Sequence, residues 1–126
     1  MRIRSPAVAD LFYPGTSPEL RATLERLLAG AEEAPASAPV KALIVPHAGY
    51  VYSGALAARA YARLGVRTRE IERVVLLGPC HRVWVEGLAL PEADAFETPL
   101  GVVPVDAALR ERVAALPGVT TSAAAH

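Results

Sequence analysis

Cysteine is nearly absent from this chain. Cys80 is the sole one among 126 residues, so no internal disulfide can form. A lone thiol makes a reducing compartment the default, and the cytoplasm is the expected location. Net charge is absent as well, because 13 basic side chains cancel 13 acidic ones. Arginines are dispersed, with only a modest cluster at Arg67, Arg69 and Arg73. The concentrated positive field that nucleic acid requires is therefore missing. No apolar run approaches the roughly 20 residues that cross a bilayer, so no membrane helix is expected. The start, Met1 to Pro6, is basic but leads into no long apolar stretch, so a secretory signal is not expected either.

What is present is a chain of 52% apolar residues, the size of one ordinary domain. Two of its apolar runs end at a histidine. Ala42-Leu43-Ile44-Val45-Pro46 precedes His47, and Val74-Val75-Leu76-Leu77-Gly78-Pro79-Cys80 precedes His81. Each run is short, rich in branched aliphatics and closed by Pro or Gly, the pattern of a fully buried strand. In an open parallel sheet, ligands bind outside the carboxyl ends of the strands, which would bring both imidazoles to one rim. Two neutral imidazoles there make half of a metal site.

The remaining pattern predicts a single α/β domain over residues 1–126. Ser17 is expected to cap a first helix with Pro18 at its first position, and Leu20, Leu24, Leu27 and Leu28 form its apolar stripe, ended by Gly30. A loop follows over Ala34 to Pro39. A second helix is expected after Tyr52, capped by Ser53 or Gly54, with Leu56, Ala60 and Leu64 on one face and Gly65 at its end. Strand, helix and strand then form a βαβ unit with a right-handed crossover. Beyond His81, residues 87–90 and 102–105 read as short strands. Thr98-Pro99-Leu100-Gly101 is a turn between them, and Asp106 caps a third helix carrying Leu109, Val113 and Leu116. Val119-Thr120-Thr121 begins one more strand, so the α/β pattern ends just as an element starts.

The loop after the first run concentrates chemistry. Pro46 stiffens the exit, Gly49 frees the backbone, Tyr50 and Tyr52 add phenols, and Ser53 marks a helix start whose N–H groups attract anions. After the second run, Arg82 can pair an anionic substrate, and the Trp84 indole can wall a pocket, though plain packing is the favoured reading of it. An isolated histidine is most often held by backbone in a loop, so spacing alone leaves both readings of His47 and His81 open. No third ligand follows from spacing: Glu86, Glu97 and Asp106 read as loop, hairpin and cap residues, and Asp10 as solvated surface. His126 is a candidate third donor, and Cys80 beside His81 is a candidate nucleophile without an evident orienting group.

Four segments together resemble the Memo family, which includes bacterial and archaeal proteins labelled AmmeMemoRadiSam system protein B. They are Ala9-Asp10-Leu11-Phe12-Tyr13-Pro14, Pro46 through Gly54, Leu77-Gly78-Pro79-Cys80-His81, and Phe96-Glu97-Thr98-Pro99-Leu100-Gly101. The resemblance implies a three-layer α/β/α sheet like that of class III extradiol dioxygenases, of which this chain would be a truncated, N-terminal portion. It implies that His47 and His81 are metal ligands, for iron, with copper or zinc as alternatives, and that no nucleotide cofactor is used. The remaining family ligand, a cysteine, and an Asp and a His near the site lie further downstream than residue 126. His126 aligns with the opening of a segment that continues into a Glu-His pair. Asp10 stands where glycine is usual, and Cys80 where serine is common.

Four functions are weighed on this basis. The first is an iron-dependent, dioxygenase-like oxidoreductase, with Tyr50, Tyr52, Ser53 and Arg82 around a small-molecule or anionic ligand. The second is a non-catalytic module taking phosphopeptides in the same cleft, as described for the animal branch. The third is a hydrolase using Cys80 and His81, and the fourth a purely structural part. The bacterial family name implies an association with a radical S-adenosylmethionine protein. Neither nucleic acid nor membrane is an expected partner.

Overall fold

A computed structural model describes residues 1–31 and 38–126. Most of the loop expected at 34–39 lies outside the described residues. The chain divides into two compact units, one of residues 7–72 and one of residues 1–6 with 73–126.

In the first unit, α1 (Ser17–Ala29) packs against α2 (Tyr50–Ala62), and a short 3-10 helix follows at Gly65–Glu70. Thr16, rather than Ser17, is the N-cap of α1, so Pro18 sits at the second helical position, where its missing N–H is still no loss. Thr16 Oγ1 donates to Glu19 Oε2 across 2.7 Å, tying the cap to the first turn. Gly30 ends the helix as expected, though with right-handed angles. Leu20 is buried and Leu24 and Leu27 half-buried, while Leu28 stays exposed.

The second helix differs from expectation in start and in face. It begins at Tyr50 with Gly49 as N-cap, four residues ahead of Ser53, the earlier of the two expected caps Ser53 and Gly54. Its packed face is Ser53, Gly54 and Ala58, and Leu56 is exposed. The reason is close approach. A Cβ at Gly54 would stand 3.0 Å from Leu27 Cδ1, so small residues let the helices meet where a leucine would not fit.

In the second unit, β1 (Ile3–Arg4), β3 (Ala95–Thr98) and β4 (Gly101–Pro104) form a three-stranded sheet in the order β1-β3-β4. β1 runs parallel to β3, and β3 turns back antiparallel into β4. The turn falls on Thr98–Gly101 as predicted, with Thr98 Oγ1 accepting from the Leu100 N–H at 3.1 Å. β2 (Leu88–Leu90) pairs parallel with β5 (Val119–Thr121). Between them α3 (Ala107–Ala114) starts at Asp106, whose carboxylate accepts the Leu109 N–H at 2.9 Å, the expected cap. Ala93 and Ala95 are buried. The chain is thus of mixed α/β build.

The two apolar runs depart most from expectation. Neither residues 42–45 nor residues 74–77 belong to a strand, and Ile44 is 99% and Leu76 86% exposed. The expected βαβ unit is accordingly not formed by paired strands. A strand apolar on both faces is satisfied only with neighbours on both edges and layers on both faces. The described residues form no ladder with either run.

Two half-buried aspartates set the acid response of the second unit. The Arg2 N–H donates to Asp94 Oδ2 at 2.7 Å and Arg110 Nη2 to its Oδ1 at 3.3 Å, and these donors hold its carboxyl below the usual 3.8. Asp106 is lowered likewise, first by the Leu109 N–H and then by Arg73, whose Nε donates to Oδ2 at 2.6 Å. A depressed carboxylate contributes stability above its unfolded value and loses it as pH falls through the folded one. Urea midpoints are therefore expected to drop below about pH 4, and Asp106→Asn to flatten that drop. An equal acid slope in both proteins would contradict this.

Candidate functional site

In the unit of residues 7–72, the segments 9–14 and 46–54 are hydrogen-bonded to each other. Asp10 adopts φ of 63°, in the left-handed region where glycine is at ease and Asp is tolerated. This explains why Asp can stand at the position where glycine is usual. The turn is closed by Asp10 N–H to Tyr13 O at 2.8 Å and by Gly15 N–H to Asp10 Oδ1 at 2.8 Å. It presents the Phe12 carbonyl to the Tyr50 N–H at 2.7 Å, which fixes the start of α2. A Cβ at Gly49 would stand 3.4 Å from Phe12 Cα, a reason for glycine there. Tyr13 and Tyr50 rings lie 5.8 Å apart and tilted by 45°.

The loop that carries His47 is thereby anchored on its C-terminal side. Ser53, 8% exposed, donates its hydroxyl to the Ala48 carbonyl at 2.9 Å. Ser53 is thus placed as a fastener of the loop inside the first turn, not as the helix cap. His47 and Tyr52 are exposed. The amides of Tyr52 and Ser53 both point to the Gly49 carbonyl, so part of the helix start is already satisfied. No acidic residue stands in the first turn of α2.

Burial pushes the Tyr50 phenol above its ordinary 10.0, with the neighbouring Tyr13 and Tyr61 adding to the effect. A raised phenol gives its full stabilising contribution below the unfolded value and loses it as pH climbs through the folded one. Absorbance titration is expected to lose its most alkaline phase in Tyr50→Phe. Retention of that phase would contradict the burial.

In the other unit, Gly78, Pro79, Cys80, His81 and Arg82 are all exposed. Trp84, expected to be packed, is 83% exposed, because the alternation at Val83, Trp84 and Val85 turns the valines inward instead. Cys80 Sγ lies 3.7 Å from the Ala125 carbonyl. His126 places Nε2 3.0 Å from the Ala89 carbonyl and sets its ring edge-on to Phe96, with centroids 6.4 Å apart. A carbonyl only accepts, so this contact is a hydrogen bond when Nε2 of His126 carries a proton.

Among the described residues no group of three or more His, Cys, Asp and Glu side chains is arranged to hold a metal ion. The second unit has an open cleft of ≈ 420 Å³ beside Arg2, Glu92, Arg110 and Thr121, but none of the sequence-predicted site residues lines it. The Asp94–Arg110–Arg2 cluster leaves no local pattern in the sequence, because Arg2 and Asp94 lie 92 residues apart. No helix is long and apolar enough to cross a membrane among the described residues.

An α/β protein with exposed histidines directly after short apolar runs is the class these features define. A model of Memo-like proteins matches residues 4–125, and the chain belongs to the Memo family. It is 43% identical over 126 residues to a MEMO1 family protein of Aquifex aeolicus, covering 100% of this chain and 45% of that protein. A MEMO1 family protein of Methanothermobacter thermautotrophicus is 37% identical over 124 residues, with 93% and 44% covered. Protein MEMO1 of Mus musculus is 36% identical over 103 residues, with 82% and 33% covered. The chain spans less than half the length of these relatives.

Proposed function

We propose that this chain supplies two ligands, His47 and His81, to a mononuclear non-haem metal centre of a dioxygenase-like Memo domain. The supporting observation is that His47 and His81, each directly after an apolar run, are both exposed rather than sealed in a core. Neutral imidazole suits iron, copper and zinc alike, and iron is the metal of this reading, with copper or zinc as alternatives. Two imidazoles are a partial donor set, and the missing donor belongs to family length outside this chain. Iron held by His47 and His81 would supply redox chemistry there.

The chain's own side chains divide into two roles. Tyr50 and Ser53 hold the His47 loop, through the Tyr13 ring and the Ala48 carbonyl. Tyr52 and Arg82, both exposed, are the groups that reach a small-molecule or anionic ligand. The wider architecture of this reading is the three-layer α/β/α sheet of the extradiol dioxygenases, within a single Memo-like domain of a cytoplasmic protein. Cys80 and His126 are additional groups of the same rim, and association with a radical S-adenosylmethionine protein is its partner proposal.

Anaerobic iron(II) titration of the chain, followed by calorimetry, tests the ligand assignment. Weak binding is expected, and His47→Ala and His81→Ala should each abolish it. Binding that survives both substitutions contradicts the assignment. The second reading, a phospho-ligand module, is favoured by the first turn of α2, where no acidic side chain neutralises the positive end of the helix. Its mark would be a thermal midpoint that rises with phosphotyrosine in the presence of a chelator.

A further inference from the structure

The cleft of ≈ 420 Å³ in the unit of residues 1–6 and 73–126 lies at one edge of a parallel strand pair. β2 and β5 run side by side, and their last residues, Leu90 and Thr121, are register partners. Both line the cleft, as do Pro91 and Glu92 of the segment that leaves β2. The carboxyl ends of parallel strands are where open α/β sheets receive their ligands. The opposite wall is α3, on which Arg110 and Glu111 stand four and three residues ahead of Ala114, on one face of the helix. The volume falls within the range of small-molecule sites.

Both signs of charge line this small space. Arg110 is held in place, because Nη1 donates to the Ala93 carbonyl at 2.9 Å and Nη2 to Asp94 Oδ1 at 3.3 Å. A guanidinium carries five N–H donors, so donors remain for a ligand without the cost of ordering the side chain. Arg2, paired with Glu92 at 2.6 Å, adds a second guanidinium. The Glu111 carboxylate and the Thr121 hydroxyl have no partner among the described residues. The balance of signs selects the ligand class. Arg2 and Arg110 match Glu92 and Glu111 along the lining, which leaves no excess positive field for a polyanion such as a nucleotide. A metal ion would meet guanidinium groups beside the carboxylates, and their repulsion opposes it. A small molecule with one positive and one negative group fits the balance, and Leu90, Pro91 and Ala114 offer it an apolar wall.

We infer that this cleft is a binding site for a zwitterionic amino acid with an apolar side chain. The guanidinium groups of Arg110 and Arg2 take its carboxylate. Glu111 and the Thr121 hydroxyl take its ammonium, and the apolar wall covers its side chain. The inference is independent of the metal reading, because it uses no residue of the segments that carry His47 and His81. Exposed ion pairs contribute little each, so the affinity is weak, with a Kd on the order of 1 mM.

Amide NMR of the isotope-labelled chain, at fixed ionic strength, tests the site with three probes. They are L-leucine, leucinamide, which lacks the carboxylate, and 4-methylpentanoate, which lacks the ammonium. L-Leucine is expected to shift the amides of Leu90, Glu92, Glu111 and Thr121, with an affinity about tenfold above either other probe. Glu111→Gln, at an exposed side chain, should leave the spectrum as well dispersed as before. It should weaken L-leucine by about tenfold without weakening 4-methylpentanoate. The inference is overturned by an absence of shifts at about 50 mM of any probe, far above the expected Kd. Equal affinity for all three probes, or an L-leucine affinity unchanged in Glu111→Gln, overturns it as well. Displacement of L-leucine by inorganic phosphate would make the cleft a plain anion site and likewise contradict it.

Discussion

Gly87→Ala is expected to destabilise the β2/β5 pair by about 2–4 kcal/mol. Two effects add. Gly87 has φ of 76°, where an L side chain is strained by roughly 1–2 kcal/mol. A Cβ there would also fall well inside van der Waals contact with the Gly118 carbonyl oxygen, which is backbone and has no rotamer to escape through. That oxygen accepts the Leu88 N–H at 2.9 Å, so yielding loses the hydrogen bond that opens the ladder. Gly118→Ala is the matched control. Its φ of 75° carries the same strain, but nothing stands within 4 Å of its Cβ. It should cost only the conformational part, about 1–2 kcal/mol. Urea unfolding of the two variants checks the difference, and equal losses would contradict the close approach.

Leu20→Ala is expected to cost about 2–3 kcal/mol, the lower part of the usual range for a buried leucine. Leu20 is the buried residue of α1, but its companions Leu24 and Leu27 are only half-buried, so neighbours can settle partly into the space. Leu56→Ala on α2 should change stability by no more than about 0.5 kcal/mol, because that side chain faces solvent. A large loss at Leu56 with a small one at Leu20 would reverse the assignment of packed faces.

The contrast between these leucines indicates how far the sequence could be read. Periodicity found Leu20 because α1 has large residues on its packed face. It pointed to Leu56 wrongly because α2 packs through Ser53, Gly54 and Ala58, which a search for large apolar side chains passes over. Local chemistry did well where a few neighbouring residues decide the outcome. The Asp106 cap and the Thr98–Gly101 turn are of that kind. Ser53 was misplaced as a cap because its hydroxyl bonds backward to Ala48, a geometry open to any serine in a first turn.

Long-range pairing was the part local patterns could not supply. The parallel partners β2 and β5 lie about thirty residues apart with no pattern to join them. The runs at 42–45 and 74–77 carry a clear strand signal, yet a strand exists only when something pairs with it. The segments of the Memo resemblance fared better. Residues 9–14 and 46–54 meet through Phe12 and Tyr50, a contact far more specific than either segment's composition.

Ring-nitrogen resonances of the three histidines, followed by NMR during titration with diamagnetic zinc(II), test the ligand assignment most directly. The signals of His47 and His81 should shift together with one midpoint. Separate midpoints for residues 47 and 81, or a shift confined to His126, would contradict a shared metal centre.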